Sequence, residues 1–225
     1  MQQEFKTTRI NESLFSGIEQ RMLAALVVRT PMKVKPDHLT GLGVVGAAVV
    51  FAGYCLSNLD VKWLWLANVG IAIHWVGDSL DGTLARHRSI ERPRYGFYLD
   101  QVIDTIGNLL MAAGLGLSPW VHFGSAMMVL ALYHMLSVQT YVRTIVDREF
   151  HVAPGRLGPT EMRVGMIAMN ICILVFGMQT VTTWPVPLEW GDLFLGVVVI
   201  GLFWLFLAQK IRHLNRLKIE EPALR

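Results

Sequence analysis

Six stretches of the chain are apolar for about the length that a helix needs to cross a bilayer: 39–57, 63–86, 95–117, 119–142, 163–183 and 191–210. A hydrocarbon core takes about 20 residues of helix per crossing, so the expected fold is all-α and polytopic, with six transmembrane helices. Composition agrees: 53% of the 225 residues are hydrophobic and 16% charged, and a mean hydropathy of +0.43 is too high for an ordinary soluble domain. Charge placement tests the count independently. Every Lys and Arg except Lys62 falls at the N-terminus, between the second and third runs, between the fourth and fifth, or at the C-terminus. Cytoplasmic segments collect Lys and Arg, so both termini and the 87–95 loop are expected to face the cytoplasm. The net charge of +3 is this asymmetry. No basic run interleaved with aromatics appears outside the membrane flanks, so no nucleic-acid partner is expected.

Residues 12–29 precede the first run. Leu14, Phe15, Ile18, Met22, Ala25 and Leu26 recur at helical spacing, with Glu12, Glu19 and Gln20 facing away. This stretch is too polar to cross and reads as an interfacial amphipathic helix on the cytoplasmic leaflet. Pro31 and Pro36 then break the chain, and "PDHLT" at 36–40 opens the first span. "SNLD" and "WPVPLEWGD" supply outer turns, where Trp63, Trp65, Trp120, Trp184 and Trp190 form an aromatic belt rather than a cage for a quaternary ammonium. Cys55 and Cys172 lie within spans and read as small buried hydrophobes. No compact apolar core followed by a small-residue cleavage site opens the chain, so no signal peptide is expected. No repeat or domain boundary interrupts it, and residues 1–225 read as one membrane-embedded domain.

Against this background, "GDSLDGTLARHRSIERPRYGFYLDQVID" at 77–104 stands out, because it sets four aspartates into hydrophobic runs. Asp78 and Asp81 are three apart, about 60° around a helix, with Gly82 and Ala85 on their face. Asp100 and Asp104 are four apart, about 40° from one another, and share their face with Gly96 and Gly107. The nine residues between Arg86 and Gly96 allow an antiparallel hairpin. The two pairs then face each other across a groove floored by Gly and Ala. Four ionised carboxylates repel, and charge at membrane depth is costly. One or two divalent cations resolve both problems, and all-oxygen donors point to Mg²⁺ first and Mn²⁺ second. Arg86 stands where a phosphate can be paired, so metals, Arg86 and open space together suggest a diphosphate substrate. The competing reading is a structural ion-pair network with Arg86, Arg88, Arg92 and Arg94, but those arginines fall mostly in the loop. The spacing does not fit an EF-hand.

At these residues the chain resembles the CDP-alcohol phosphatidyltransferases, which carry Asp-x2-Asp-Gly-x2-Ala-Arg, eight or nine residues, then Gly-x3-Asp-x3-Asp. Asp78, Asp81, Gly82, Ala85, Arg86, Gly96, Asp100 and Asp104 match every fixed position. The likeness extends to an interfacial helix, six spans and a Pro-to-Thr entry, here Pro36-Asp37-His38-Leu39-Thr40. It implies that Asp78, Asp81 and Asp100, with Asp104 beside them, hold two metal ions that grip the diphosphate of a CDP-linked donor. Gly82, Ala85, Arg86, Gly96 and Thr40 would line the donor pocket, and Asp104 would be the general base that takes the proton of an acceptor hydroxyl as CMP leaves. It further implies a lipid donor, CDP-diacylglycerol first, an alcohol acceptor and a homodimer among membrane lipids.

The acceptor is less defined. "YHMLSVQTYVRT" makes the fourth span unusually polar, with His134, Ser137, Tyr141 and Thr144 in one stripe. They either line a water-filled cavity or bond neighbouring helices. Arg143, Arg156 and Arg163 make a basic cytoplasmic edge that either holds an anionic head group or only fixes topology. His74, one turn before Asp78, reads as packed rather than as a ligand. The rival functions are a CDP-choline or CDP-ethanolamine phosphotransferase acting on diacylglycerol, a membrane prenyltransferase and a cation-binding transporter. Transporters usually carry internal repeats and broken helices, and neither is seen in the sequence.

Overall fold

The structure, a computed structural model, describes residues 9–10, 16–147, 150–151, 158–177, 180–182 and 188–221. Seven helices dominate it: α1 Ser16–Arg29, α2 Pro36–Leu56, α3 Leu64–His87, α4 Pro93–Gly116, α5 Phe123–Asp147, α6 Pro159–Phe176 and α7 Trp190–Glu220. A 3₁₀ turn, Val61–Trp63, leads into α3. Two short strand pairs complete the described residues: β1 Arg9–Ile10 lies parallel to β2 Phe150–His151, and β3 Thr180–Thr182 antiparallel to β4 Leu188–Glu189.

Proline starts three of the long helices, Pro36 in α2, Pro93 in α4 and Pro159 in α6, where its missing N–H costs nothing and its fixed φ suits the first turn. The helix-to-helix scaffold is set by glycine. A Cβ on Gly46 would fall 2.7 Å from the His74 Cα, and one on Gly77 would fall 2.6 Å from the Leu39 carbonyl oxygen and 2.7 Å from the Gly43 Cα. Only residues without a Cβ permit backbones this close. The seam locks α2 to α3, and Gly114 brings α4 onto the Phe51 backbone in the same way. Around it packs a core of Ala47, Val50, Tyr54, Leu64, Ala67, Ile71, Met111, Leu115 and Ile173. A buried polar chain crosses that core: Tyr54 donates to the Asn170 Oδ1 at 3.0 Å, and Asn170 donates to the Asn68 Oδ1 at 2.8 Å, joining α2, α6 and α3.

Among the described residues four helices, α2, α5, α6 and α7, are both long and apolar enough to cross a membrane. α3 and α4 have the length, 24 residues each, but carry the charged groups Asp78, Asp81 and Arg86, and Arg94, Asp100 and Asp104. The run expected to span 163–183 ends as a helix at Phe176: Gly177 takes φ 66°, a left-handed conformation that stops the helix, and the β-branched Thr180–Thr182 pairs as a strand instead. The fourth run starts later than expected, at Phe123, after a turn in which the Asp192 carboxylate accepts from the His122 backbone N–H at 2.8 Å. The last helix runs on to Glu220.

At the N-terminus a helix, α1, begins at residue 16, and residues 12–15 of the expected stretch lie outside the described residues. Its inward face differs from expectation. Leu23 and Val27 pack on Leu80 and Leu84 of α3, Ile18 and Met22 are exposed, and Glu19 turns towards the protein. Arg88 fixes the link to α2 by donating to the carbonyls of Thr30, Pro31 and Val34.

Candidate active site

The α3–α4 hairpin does what the aspartate spacing predicts for three of the four carboxylates. Oxygens of Asp78, Asp100 and Asp104 lie within 4.8 Å of one another, close enough to hold a metal ion. They line a narrow crevice with Thr40, Gly43, His74 and Ile103. Asp81 is not one of these three and has its own partners: its Oδ2 accepts from the Thr40 hydroxyl at 2.6 Å and its Oδ1 from the Gly82 N–H at 2.5 Å. The two residues are buried together where α2 enters, Thr40 at 8% and Asp81 at 8% exposure. Thr40 therefore touches the carboxylate cluster's edge rather than standing apart from it.

Arg163, placed by sequence on a basic cytoplasmic edge, instead reaches from α6 to donate to the Asp78 Oδ2 at 2.5 Å, and both side chains are largely buried. A carboxylate with one oxygen committed to a guanidinium keeps its other oxygen for a cation, with its orientation fixed. Gln101, which the sequence reading passed over, does similar work on Asp100. Its Nε2 donates to the Asp100 Oδ2 at 2.9 Å, and its Oε1 accepts from the Tyr141 hydroxyl at 2.6 Å. The only available signal was that Gln101 follows Asp100 directly in an otherwise apolar run.

The donor-side candidates surround the same end. Arg86 is exposed, donates to the Thr83 hydroxyl at 3.2 Å, and lies beside Gly82, where an added Cβ would meet its Nη1 at 3.3 Å. Ala85 is half-buried and Gly96 exposed, with nothing within 4 Å of the position a Cβ would take there. At the mouth, Arg92 pairs with Asp37 at 2.5 Å and stacks 4.0 Å over the Tyr95 ring. The hydrogen bond that Arg92 donates to Asp37 raises the Arg92 pKa above its ordinary value.

The acceptor-side candidates divide. Tyr141 joins the cluster through Gln101 and Arg163 through Asp78, whereas Arg143 pairs with Asp147 of its own helix at 3.1 Å. Asp147 also pairs with Arg216 of α7 at 3.2 Å. His134 keeps a buried Nε2 without a hydrogen-bond partner among the described residues, as does the Nδ1 of His74. Ser137 and Thr144 donate to carbonyls of their own helix, those of Tyr133 and Thr140. Arg156 lies outside the described residues.

Apolar helices around a half-buried, all-oxygen carboxylate cluster with an arginine on one member define an integral membrane protein with a metal-competent acidic site. Residues 33–210 match the family model for CDP-alcohol phosphatidyltransferase, and the chain belongs to that family. Among curated proteins, the phosphatidylinositol phosphate synthase of Cutibacterium acnes is 32% identical over 84 residues, which cover 37% of this chain and 38% of that protein.

Proposed function

We propose that the protein transfers a phosphatidyl group from a CDP-linked lipid, CDP-diacylglycerol first, to an alcohol hydroxyl, with release of CMP, as a step of phospholipid synthesis. The observation that carries this reading is the convergence of Asp78, Asp100 and Asp104 to within 4.8 Å, on a chain that matches the family over residues 33–210.

The residues present fit a divalent metal. The donors are all carboxylate oxygens in a compact group, which favours Mg²⁺, with Mn²⁺ as substitute. Asp78, Asp100 and Asp104 would hold it, with Asp81 beside them to complete a site for two ions. A metal held there would supply neutralisation of charge on the diphosphate and on the departing CMP. The remaining steps belong to the chain. Gly82, Ala85 and Gly96 leave room for the nucleotide to approach backbone, and Arg86 pairs a phosphate. Thr40 keeps the Asp81 carboxylate oriented. Asp104 takes the proton of the acceptor hydroxyl as its oxygen bonds to the β-phosphorus, and the bond from that phosphorus to CMP breaks. Tyr141, Arg163, Arg143 and His134 stand on the acceptor side.

In this reading α3 and α4 cross the bilayer with the four apolar helices, giving six spans, and their charged ends meet at the cytoplasmic face. The Lys and Arg distribution supports that orientation, with both termini inside. α1 lies on the leaflet, residues 1–225 form one domain, and a homodimer follows by likeness to the family. The name of the Cutibacterium acnes relative puts an inositol phosphate first among acceptors. The test is CMP release from CDP-diacylglycerol by the purified full-length protein with Mg²⁺, against inositol phosphate, inositol, glycerol-3-phosphate and serine. One acceptor should yield CMP and a matching phospholipid, identified by mass, in equal amounts. A folded protein that releases no CMP with any of them would refute the reading.

A further inference from the structure

Glu19 lies far from the aspartate motif in sequence, yet one of its carboxylate oxygens collects three donors from two helices. Its Oε1 accepts from the Trp75 Nε1 at 3.2 Å, the Ser79 hydroxyl at 3.0 Å and the Thr160 hydroxyl at 3.1 Å. Ser79 adjoins Asp78 on α3, and Thr160 stands one turn before Arg163 on α6. The Glu19 junction and the Arg163–Asp78 pair are thus neighbouring rungs between the same two helices. The Trp75 indole can only donate, and the Ser79 and Thr160 hydroxyls donate here as well, so the Glu19 carboxylate oxygen is the shared acceptor that joins the two helices. Without it, serine and threonine hydroxyls turn back to carbonyls of their own helix, as Thr83 does on the Ser79 carbonyl at 3.0 Å. The inter-helix rung would then vanish, and α6 could slide or roll against α3.

We infer that Glu19 of α1 is a positioning residue for the metal-binding face, holding α6 in register with α3 so that Arg163 keeps Asp78 oriented. This rests on the reading of the acidic cluster given above and adds a residue from the N-terminal helix to it. Glu19 touches neither substrate nor metal in this account. It acts through Arg163 and Asp78.

The experiment measures Mn²⁺ binding to the purified full-length protein by electron paramagnetic resonance, a readout that needs no turnover, alongside CMP release. The variants are Glu19→Leu, Glu19→Gln, Thr160→Val, Arg163→Met and the Glu19→Leu/Arg163→Met pair. Outer partners of metal ligands typically change affinity about 10–100-fold when removed, and Glu19→Leu should weaken Mn²⁺ binding by about that factor. Glu19→Gln keeps a carbonyl acceptor and should stay within about threefold of wild type. In the Arg163→Met background Glu19→Leu should have no further effect, because residues acting along one route are not additive. Unchanged Mn²⁺ affinity in Glu19→Leu, no rescue by Gln, or full additivity in the pair would each overturn the inference. If Glu19→Leu does not fold, Thr160→Val decides: it leaves α1 intact, should weaken Mn²⁺ binding severalfold, and overturns the inference if it binds like wild type. Failure of the transferase reading would look different. Wild type would then bind Mn²⁺ with the same dependence on Glu19 but release no CMP.

Discussion

Replacing Gly77 with alanine tests whether the seam between α2 and α3 positions the site. The added Cβ would stand 2.6 Å from the Leu39 carbonyl oxygen and 2.7 Å from the Gly43 Cα. Both are backbone atoms of α2, so no side chain can rotate away. Restoring an ordinary contact of about 3.5 Å requires the helices to part by roughly 1 Å. Overpacking of this kind costs about 1–3 kcal/mol. The functional effect should be larger than the stability effect. Gly77 adjoins Asp78, and Gly43 is three residues past Thr40, so the same displacement would stretch the 2.6 Å Thr40–Asp81 hydrogen bond to about 3.6 Å and abolish it. A misplacement of about 1 Å at reacting groups costs on the order of 100-fold in rate. Gly165→Ala, where nothing lies within 4 Å of the new Cβ, is the control. Thermal unfolding and CMP release should show Gly77→Ala lower in both, with Gly165→Ala unchanged in CMP release and no less stable than wild type. Wild-type stability and turnover in Gly77→Ala would refute the close seam.

Asp104→Asn keeps the size of the side chain and one metal-facing oxygen but cannot take the acceptor proton, so transfer should fall roughly 10²–10⁴-fold with donor binding reduced only modestly. Asp78→Asn should lower donor binding and transfer together, and equal loss of binding in both variants would make Asp104 chiefly a ligand. Exhaustive chelation should stop CMP release, with recovery in Mg²⁺ or Mn²⁺ but not Zn²⁺; turnover in chelator would remove the metal from the reading. Tyr141→Phe frees the Gln101 amide to turn away from Asp100, and should raise the Mg²⁺ concentration for half-maximal CMP release by up to about 10–100-fold; an unchanged requirement would leave Gln101 as packing only.

Much of the site was legible because helical period and a short loop are local facts. Asp100 and Asp104 four apart, Asp78 three before Asp81, and nine residues between Arg86 and Gly96 are enough to bring carboxylates from α3 and α4 together. What stayed hidden depends on partners distant in sequence. Arg163 looked like one more cytoplasmic cation because nothing local ties it to Asp78, 85 residues away. Asp81 looked equivalent to Asp78, and their distant partners separate them, Thr40 of α2 for Asp81 and Arg163 of α6 for Asp78. Helical spacing sets Glu19 on the polar face of α1, whereas the donors that turn it inward lie on α3 and α6. The helix end at Phe176 was missed because hydropathy counts residues and does not see that Gly177 adopts a positive φ.

The angular order of α3 explains how these separate contacts arise from one helix. At about 100° per residue, Gly70 and Gly77 fall within about 20° of one another and define the side pressed on α2. Asp81 comes four residues after Gly77, about 40° from that side, and so meets Thr40 of α2. Asp78 is turned by about 100° and meets Arg163 of α6. Trp75 and Ser79 lie about 160° away, on opposite flanks of the far side, and meet Glu19 of α1. Each polar side chain therefore reaches a different neighbour because the glycine side fixes where zero lies. Rolling α3 by a single residue would move Asp81 off Thr40 and Asp78 off Arg163 together, so the backbone contact at Gly43 and Gly77 carries the orientation of the carboxylates as well as the packing of the helices.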